Sequence, residues 1–78
     1  MTAQEYQKLE QVLFYGITQA RMSNAEFQKL ENTSDKIEKH ILELKAQNHR
    51  GVAEGIQYAL VALKFQHCDM KILSKELD

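Results

Sequence analysis

The chain contains no proline, no tryptophan, only three glycines and a single cysteine in 78 residues. Each scarcity excludes something. Without proline, nothing in the sequence forces a helix to stop by removing a backbone donor. One cysteine, Cys68, rules out an internal disulfide, and one cysteine with three scattered histidines does not make a structural zinc site. No strong charge of either sign is present: ten basic residues face eleven acidic ones. The balance is also local, with no segment basic enough to serve as an electrostatic footprint for nucleic acid or an anionic membrane. The longest apolar runs, Val12–Tyr15 and Tyr58–Leu63, are far shorter than the roughly 20 residues that span a bilayer. The N-terminus lacks the basic and apolar regions of a signal peptide. The expected setting is therefore cytoplasmic, with no membrane partner.

What is present reads as helix. A phrase is repeated: Met1-Thr-Ala-Gln-Glu-Tyr-Gln-Lys-Leu-Glu-Gln11 and Met22-Ser-Asn-Ala-Glu-Phe-Gln-Lys-Leu-Glu-Asn32. Each copy has the form of a helix start. Thr2 and Ser23 are N-cap candidates, Glu5 and Glu26 complete capping boxes, and Met1 and Met22 can staple onto Tyr6 and Phe27. Two copies acting as caps predict one helix over about 3–21 and a second beginning near residue 24.

In the first helix, Tyr6, Leu9, Val12, Leu13, Gly16, Ile17 and Ala20 gather on one face, with Phe14 on its flank and Tyr15 opposite. In the second, about 24–47, the positions Phe27, Leu30, Ser34, Ile37, Ile41, Leu44 and Asn48 follow a heptad spacing. That register runs unbroken across Asn32-Thr33-Ser34-Asp35, which predicts a continuous helix despite poor local propensity. Asn48-His49-Arg50-Gly51 reads as a second connection, with Gly51 in the left-handed position that ends many helices. A third helix over about 52–68 follows, and Asp69 can cap a short one over 70–77. The fold expected is a single all-α domain: three helices, the second and third forming an antiparallel hairpin, with a possible short fourth.

The predicted third helix is apolar on two sides. Val52, Ile56, Ala59, Leu60, Leu63 and Met70 form one stripe; Tyr58, Val61, Phe65, Cys68 and Ile72 form the other. A slim bundle covers only one of them, which predicts a homodimer and makes Phe14, Tyr15, Tyr58, Val61, Phe65 and Ile72 the candidate interface. Gly51, Gly55, Ala59 and Ala62 align along one edge and are candidates for a close approach of two helices.

Chemistry has little support. No nucleophile and base stand at a recognisable spacing, and no glycine-rich phosphate loop or paired carboxylates on an apolar face occur. No enzymatic activity, small-molecule substrate or cofactor is expected. His67-Cys68-Asp69 places three ligand types side by side, but neighbours on a helix diverge by about 100° each and cannot close on one ion, so no metal is expected either. A nucleic-acid regulator is the alternative from another class: the first two helices as a helix-turn-helix unit, with Lys39, Lys45, His49 and Arg50 as the one modest basic cluster. Glu26, Glu31, Asp35 and Glu38 on the second helix would repel phosphate.

The run Arg50-Gly-Val-Ala-Glu-Gly-Ile-Gln-Tyr-Ala-Leu60 resembles small helical proteins encoded by phages and prophages of Gram-positive bacteria. The likeness covers eleven residues. It implies a small accessory protein that acts by binding a host or phage protein, and it carries over no catalytic residue.

Overall fold

Thr2 caps the first helix as its position predicts, although the Glu5 carboxylate bonds the Thr2 hydroxyl and not its backbone N–H. The Thr2 hydroxyl accepts the Glu5 backbone N–H at 3.1 Å and donates to the Glu5 carboxylate at 3.2 Å. This starts α1, Ala3–Glu31. In the computed structural model, which describes residues 1–78, two further helices follow: α2, Lys36–Ala62, and α3, Met70–Leu77. The molecule is all-helical, as expected, and is a rod measuring 50 × 17 × 16 Å.

The helix boundaries correct the sequence reading in three places. The turn expected near residues 21–24 is absent, because Ser23 lies in the middle of α1 and is buried. The continuous helix expected across Asn32–Asp35 is absent, and the hairpin turn lies there instead. Asn32 caps α1, and the Asp35 carboxylate accepts the N–H groups of Ile37 at 2.8 Å and Glu38 at 3.2 Å, starting α2. The connection expected at Asn48–Gly51 is also absent. Gly51 sits inside α2, no glycine adopts a positive φ, and the helix runs on to Ala62. The antiparallel hairpin therefore pairs Ala3–Glu31 with Lys36–Ala62, not residues 24–47 with 52–68. The short helix anticipated over 70–77 is α3.

Two heptad seams join the arms. On α1 the buried or half-buried positions are Leu9, Leu13, Gly16, Ala20, Ser23, Phe27 and Leu30; on α2 they are Leu42, Ala46, His49, Ala53, Ile56 and Leu60. Both alternate steps of three and four, the spacing that keeps one stripe facing a partner helix. Small residues at the centre bring the backbones close. A Cβ built on Gly16 would stand 2.8 Å from Ile56 Cγ2, so only glycine fits there without movement. Ser23 Oγ donates to the Ala46 carbonyl at 2.8 Å. This seam displaces the expected one: Ile37, Ile41 and Leu44 face solvent at 75%, 47% and 54% exposure.

α2 ends in a Schellman motif. Phe65 N–H bonds back to the Leu60 carbonyl at 3.0 Å and Lys64 N–H to the Val61 carbonyl at 2.9 Å. The left-handed residue is Lys64, with φ 56°, where glycine is usual. The motif's hydrophobic contact, between Leu60 and Phe65, is part of the core. The chain then turns back so that α3 lies along one side of the hairpin. Leu73 and Leu77 complete a cluster with Leu13, Ile17, Ala20, Ala53, Leu60 and Phe65. Polar contacts hold α3 to both arms: Arg21 to the Glu76 carboxylate at 3.3 Å, Asn24 to the Glu76 carbonyl at 2.9 Å, Gln57 to Ser74 at 2.8 Å, and Arg50 to the Leu77 carbonyl.

Candidate functional site

An antiparallel helix pair has two lateral grooves and two outer faces. In this chain α3 fills one groove, and nothing fills the rest. Residues one step past the seam positions, such as Ile17 and Arg21 on α1 and Arg50 and Gln57 on α2, point toward α3. Residues one step before them point to the opposite side, and there Val12, Tyr15, Met22, Ile41 and Val52 are exposed. Farther round α2, facing away from α1, lie Ile37, Leu44, Gly51, Gly55, Tyr58 and Ala62, with His40 and Gln47 beside them, every one of them exposed. Ile41, Asn48 and Ala59 lie on the flank of that face nearer the open groove.

The six residues predicted as an interface do not form one surface. Tyr58 and Val61, at 80% and 61% exposure, lie on α2. Phe14 and Ile72 line a shallow dent between α1 and α3 with Ile17, Thr18, Arg21 and Asp69. Tyr15 lies on the side away from α3. Phe65 does not belong to any interface. It is only 5% exposed, because the chain reversal at Lys64 turns it inward against Tyr6, with ring centroids 5.3 Å apart.

Gly51, Gly55, Ala59 and Ala62 make no close approach within the chain. Nothing lies within 4 Å of a Cβ added at Gly51 or Gly55, and the close helix approach within the chain is made by Gly16. The missed surface residues are Ile37, Ile41 and Leu44, whose heptad spacing is real but belongs to an outward stripe. The inner seam is a second heptad, Leu42, Ala46, His49, Ala53, Ile56 and Leu60, whose alanines face Ser23 and the middle of α1.

The basic cluster disperses. His49 faces α1, where its Nδ1 hydrogen-bonds the Glu26 carboxylate. Arg50 is paired with Glu54 at 2.8 Å and with the end of α3. Lys39 and Lys45 remain exposed, but six positions apart on a helix they project about 120° from each other. The helix-turn-helix unit loses its turn, since α1 runs straight through residues 21–24.

His67, Cys68 and Asp69 are not helical as expected. They lie in the reversal before α3, and their ligand atoms gather within 4.8 Å of one another. Both ring nitrogens of His67 are nevertheless engaged: Nδ1 accepts the Asp69 backbone N–H at 3.0 Å and Nε2 bonds the Glu10 carboxylate at 2.7 Å. The ring also packs edge-on to Phe14 and stacks with Phe65. This geometry locks the turn onto α1. The exposed thiol of Cys68 and the Asp69 carboxylate are the donors left for an ion.

No family model, curated protein or solved structure matches the chain. No helix is long and apolar enough to cross a membrane.

Proposed function

We propose that this chain is a non-enzymatic protein-interaction module that self-associates, as a homodimer, through the outer face of α2, and that binds and inhibits or recruits another protein. The observation that carries this reading is a row of large apolar side chains left uncovered on α2, with Ile37, Leu44, Tyr58 and Val61 at 75%, 54%, 80% and 61% exposure. The 9.1 kDa chain exposes 5750 Å², whereas a folded monomer of that mass exposes about 4,900 Å². Its radius of gyration is 14.5 Å, against about 11.5 Å for a compact domain of this length. Only 12 of 78 residues are buried, a small core for independent stability.

The exposed thiol suits a reducing compartment, and the cytoplasm is the setting we propose. The likeness of residues 50–60 to phage and prophage accessory proteins points the same way, toward a small protein that acts by contact. The two glycines in that run lie on the exposed face of α2, where a second helix could approach them.

Sedimentation equilibrium at micromolar concentration tests the reading. A particle of twice the chain mass is expected, and a single-chain mass across that range refutes it. Tyr58→Asp separates surface from core. It should weaken association and leave helicity intact, whereas Phe65→Asp should unfold the chain.

A further inference from the structure

The outer face of α2 is self-complementary. Eight exposed positions follow one heptad stripe along it and its groove-side flank, 37, 41, 44, 48, 51, 55, 58 and 62, and the steps between them are four, three, four, three, four, three, four. That series reads the same from either end, so its midpoint, level with the peptide between His49 and Arg50, is a possible two-fold axis. The side chains divide by size about that point. The N-terminal half carries Ile37, Ile41 and Leu44; the C-terminal half carries Gly51, Gly55 and Ala62, with Tyr58 between them.

We infer that two copies of this chain pack α2 against α2 antiparallel, about a two-fold axis at that midpoint, which deepens the proposed self-association and rests on it. In this register Leu44 enters the notch over Gly55 of the second copy, Ile37 covers Ala62, and Asn48 stands opposite Gly51. Ile41 packs on the Tyr58 ring, which is 80% exposed in the single chain. Every contact occurs twice, as an isologous interface requires. A parallel pairing would set Ile37 against Ile37 and Gly55 against Gly55, bulk on bulk at one end and a void at the other. Helix dipoles also favour the antiparallel choice. One polar residue near the middle of an apolar helix seam fixes register, and Asn48 occupies that place.

The area agrees. The surplus of exposed surface over a compact monomer, spread along the whole rod, is roughly 850 Å², and a standard interface takes ~800 Å² from each partner. The glycines allow the two helix axes to approach to the close end of the usual 8–10 Å. The interface joins the rods along their α2 sides and leaves α3, Phe14 and Ile72 free for a different protein.

Cross-linking reads the register directly. In a Cys68→Ser background, Leu44→Cys and Gly55→Cys on one helix lie eleven residues apart, ~16 Å along the axis, so any disulfide between them joins two chains. The double variant should form a covalent dimer on mild oxidation, and neither single variant should. A second pair of variants tests the same contact by size. Gly55→Leu alone should weaken dimerisation about tenfold or more, and Leu44→Ala with Gly55→Leu should restore it, because the large and small partners have changed places. A dimer in which Leu44→Cys alone cross-links, or in which the double variant does not cross-link and the size swap does not rescue, overturns the antiparallel register while leaving self-association intact. A wild-type chain that stays monomeric overturns both.

Discussion

Ser23 Oγ donates a 2.8 Å hydrogen bond to the backbone carbonyl of Ala46, joining the two arms of the hairpin on the turn side of their middle. Ser23 is 1% exposed. The residue that reads as a helix cap is therefore an interhelical clasp, small enough to let the arms close and polar enough to hold them in register. Ser23→Ala should cost about 1 kcal/mol, since the Ala46 carbonyl keeps its own helical partner. Ser23→Val should cost more, about 1–3 kcal/mol, by forcing the arms apart. Denaturant unfolding at fixed protein concentration measures both; equal stabilities for wild type and valine variant would contradict the close packing.

Gly16 and Ile56 define the tightest approach. Gly16→Ala gains helix propensity of about 1 kcal/mol, but its new methyl meets a β-branched side chain 2.8 Å away that has no free rotamer to yield. We expect a net loss of about 1–2 kcal/mol. Pairing it with Ile56→Ala should relieve the clash, so that the double-variant cycle shows coupling of the opposite sign to the single losses. Purely additive losses would contradict the contact.

Lys64 holds a left-handed conformation without being glycine. Lys64→Gly should stabilise the chain by about 0.5–1 kcal/mol, because the strain removed exceeds the added freedom of the unfolded chain. Lys64→Val, whose branched Cβ tolerates that region least, should destabilise. The order of melting temperatures, glycine above lysine above valine, is the check.

The pairing of His67 with Glu10 ties the reversal to α1 at 2.7 Å. Removing the carboxylate with Glu10→Ala should loosen the turn and raise hydrogen exchange in residues 63–77 by severalfold, with little change across the centre of the hairpin. Uniform exchange across the chain would show that the pair does not act locally.

The sequence made much of this fold legible. Lack of proline, the Thr2 capping box and sustained three–four spacing together require helices. They also allow the short helix at 70–77 to be placed correctly. What misled was competition between signals that are locally equivalent. The copy at Met22–Asn32 carries the same letters as a true cap, yet its serine is inside a helix, because the seam from Leu9 to Leu30 needs a small residue there. Asn48–Gly51 has the chemistry of a helix end, yet α2 continues, because the packing of Ala46, His49, Ala53 and Ile56 on α1 outweighs the roughly 1 kcal/mol that a glycine costs a helix. The residues read from sequence as an interface divide by exposure. Tyr58 and Val61 are exposed, but Phe65 is not, since a lysine in left-handed conformation reverses the chain one residue earlier.

By itself the sequence determined that the chain is helical, where its first helix starts, and that it carries more apolar surface than one slim bundle can bury. Those properties follow from local bonding and composition. Tertiary structure decided which of two heptads on α2 turns inward, and it chose the one with alanines at its centre. Helices joined by Gly16, Ser23, Ala46 and Ala53 approach closely and gain contact along their whole length. Isoleucine and leucine at those four places would have held the arms apart, and so Ile37, Ile41 and Leu44 lie outside while Leu42, Ile56 and Leu60 fill the seam on either side of the close approach.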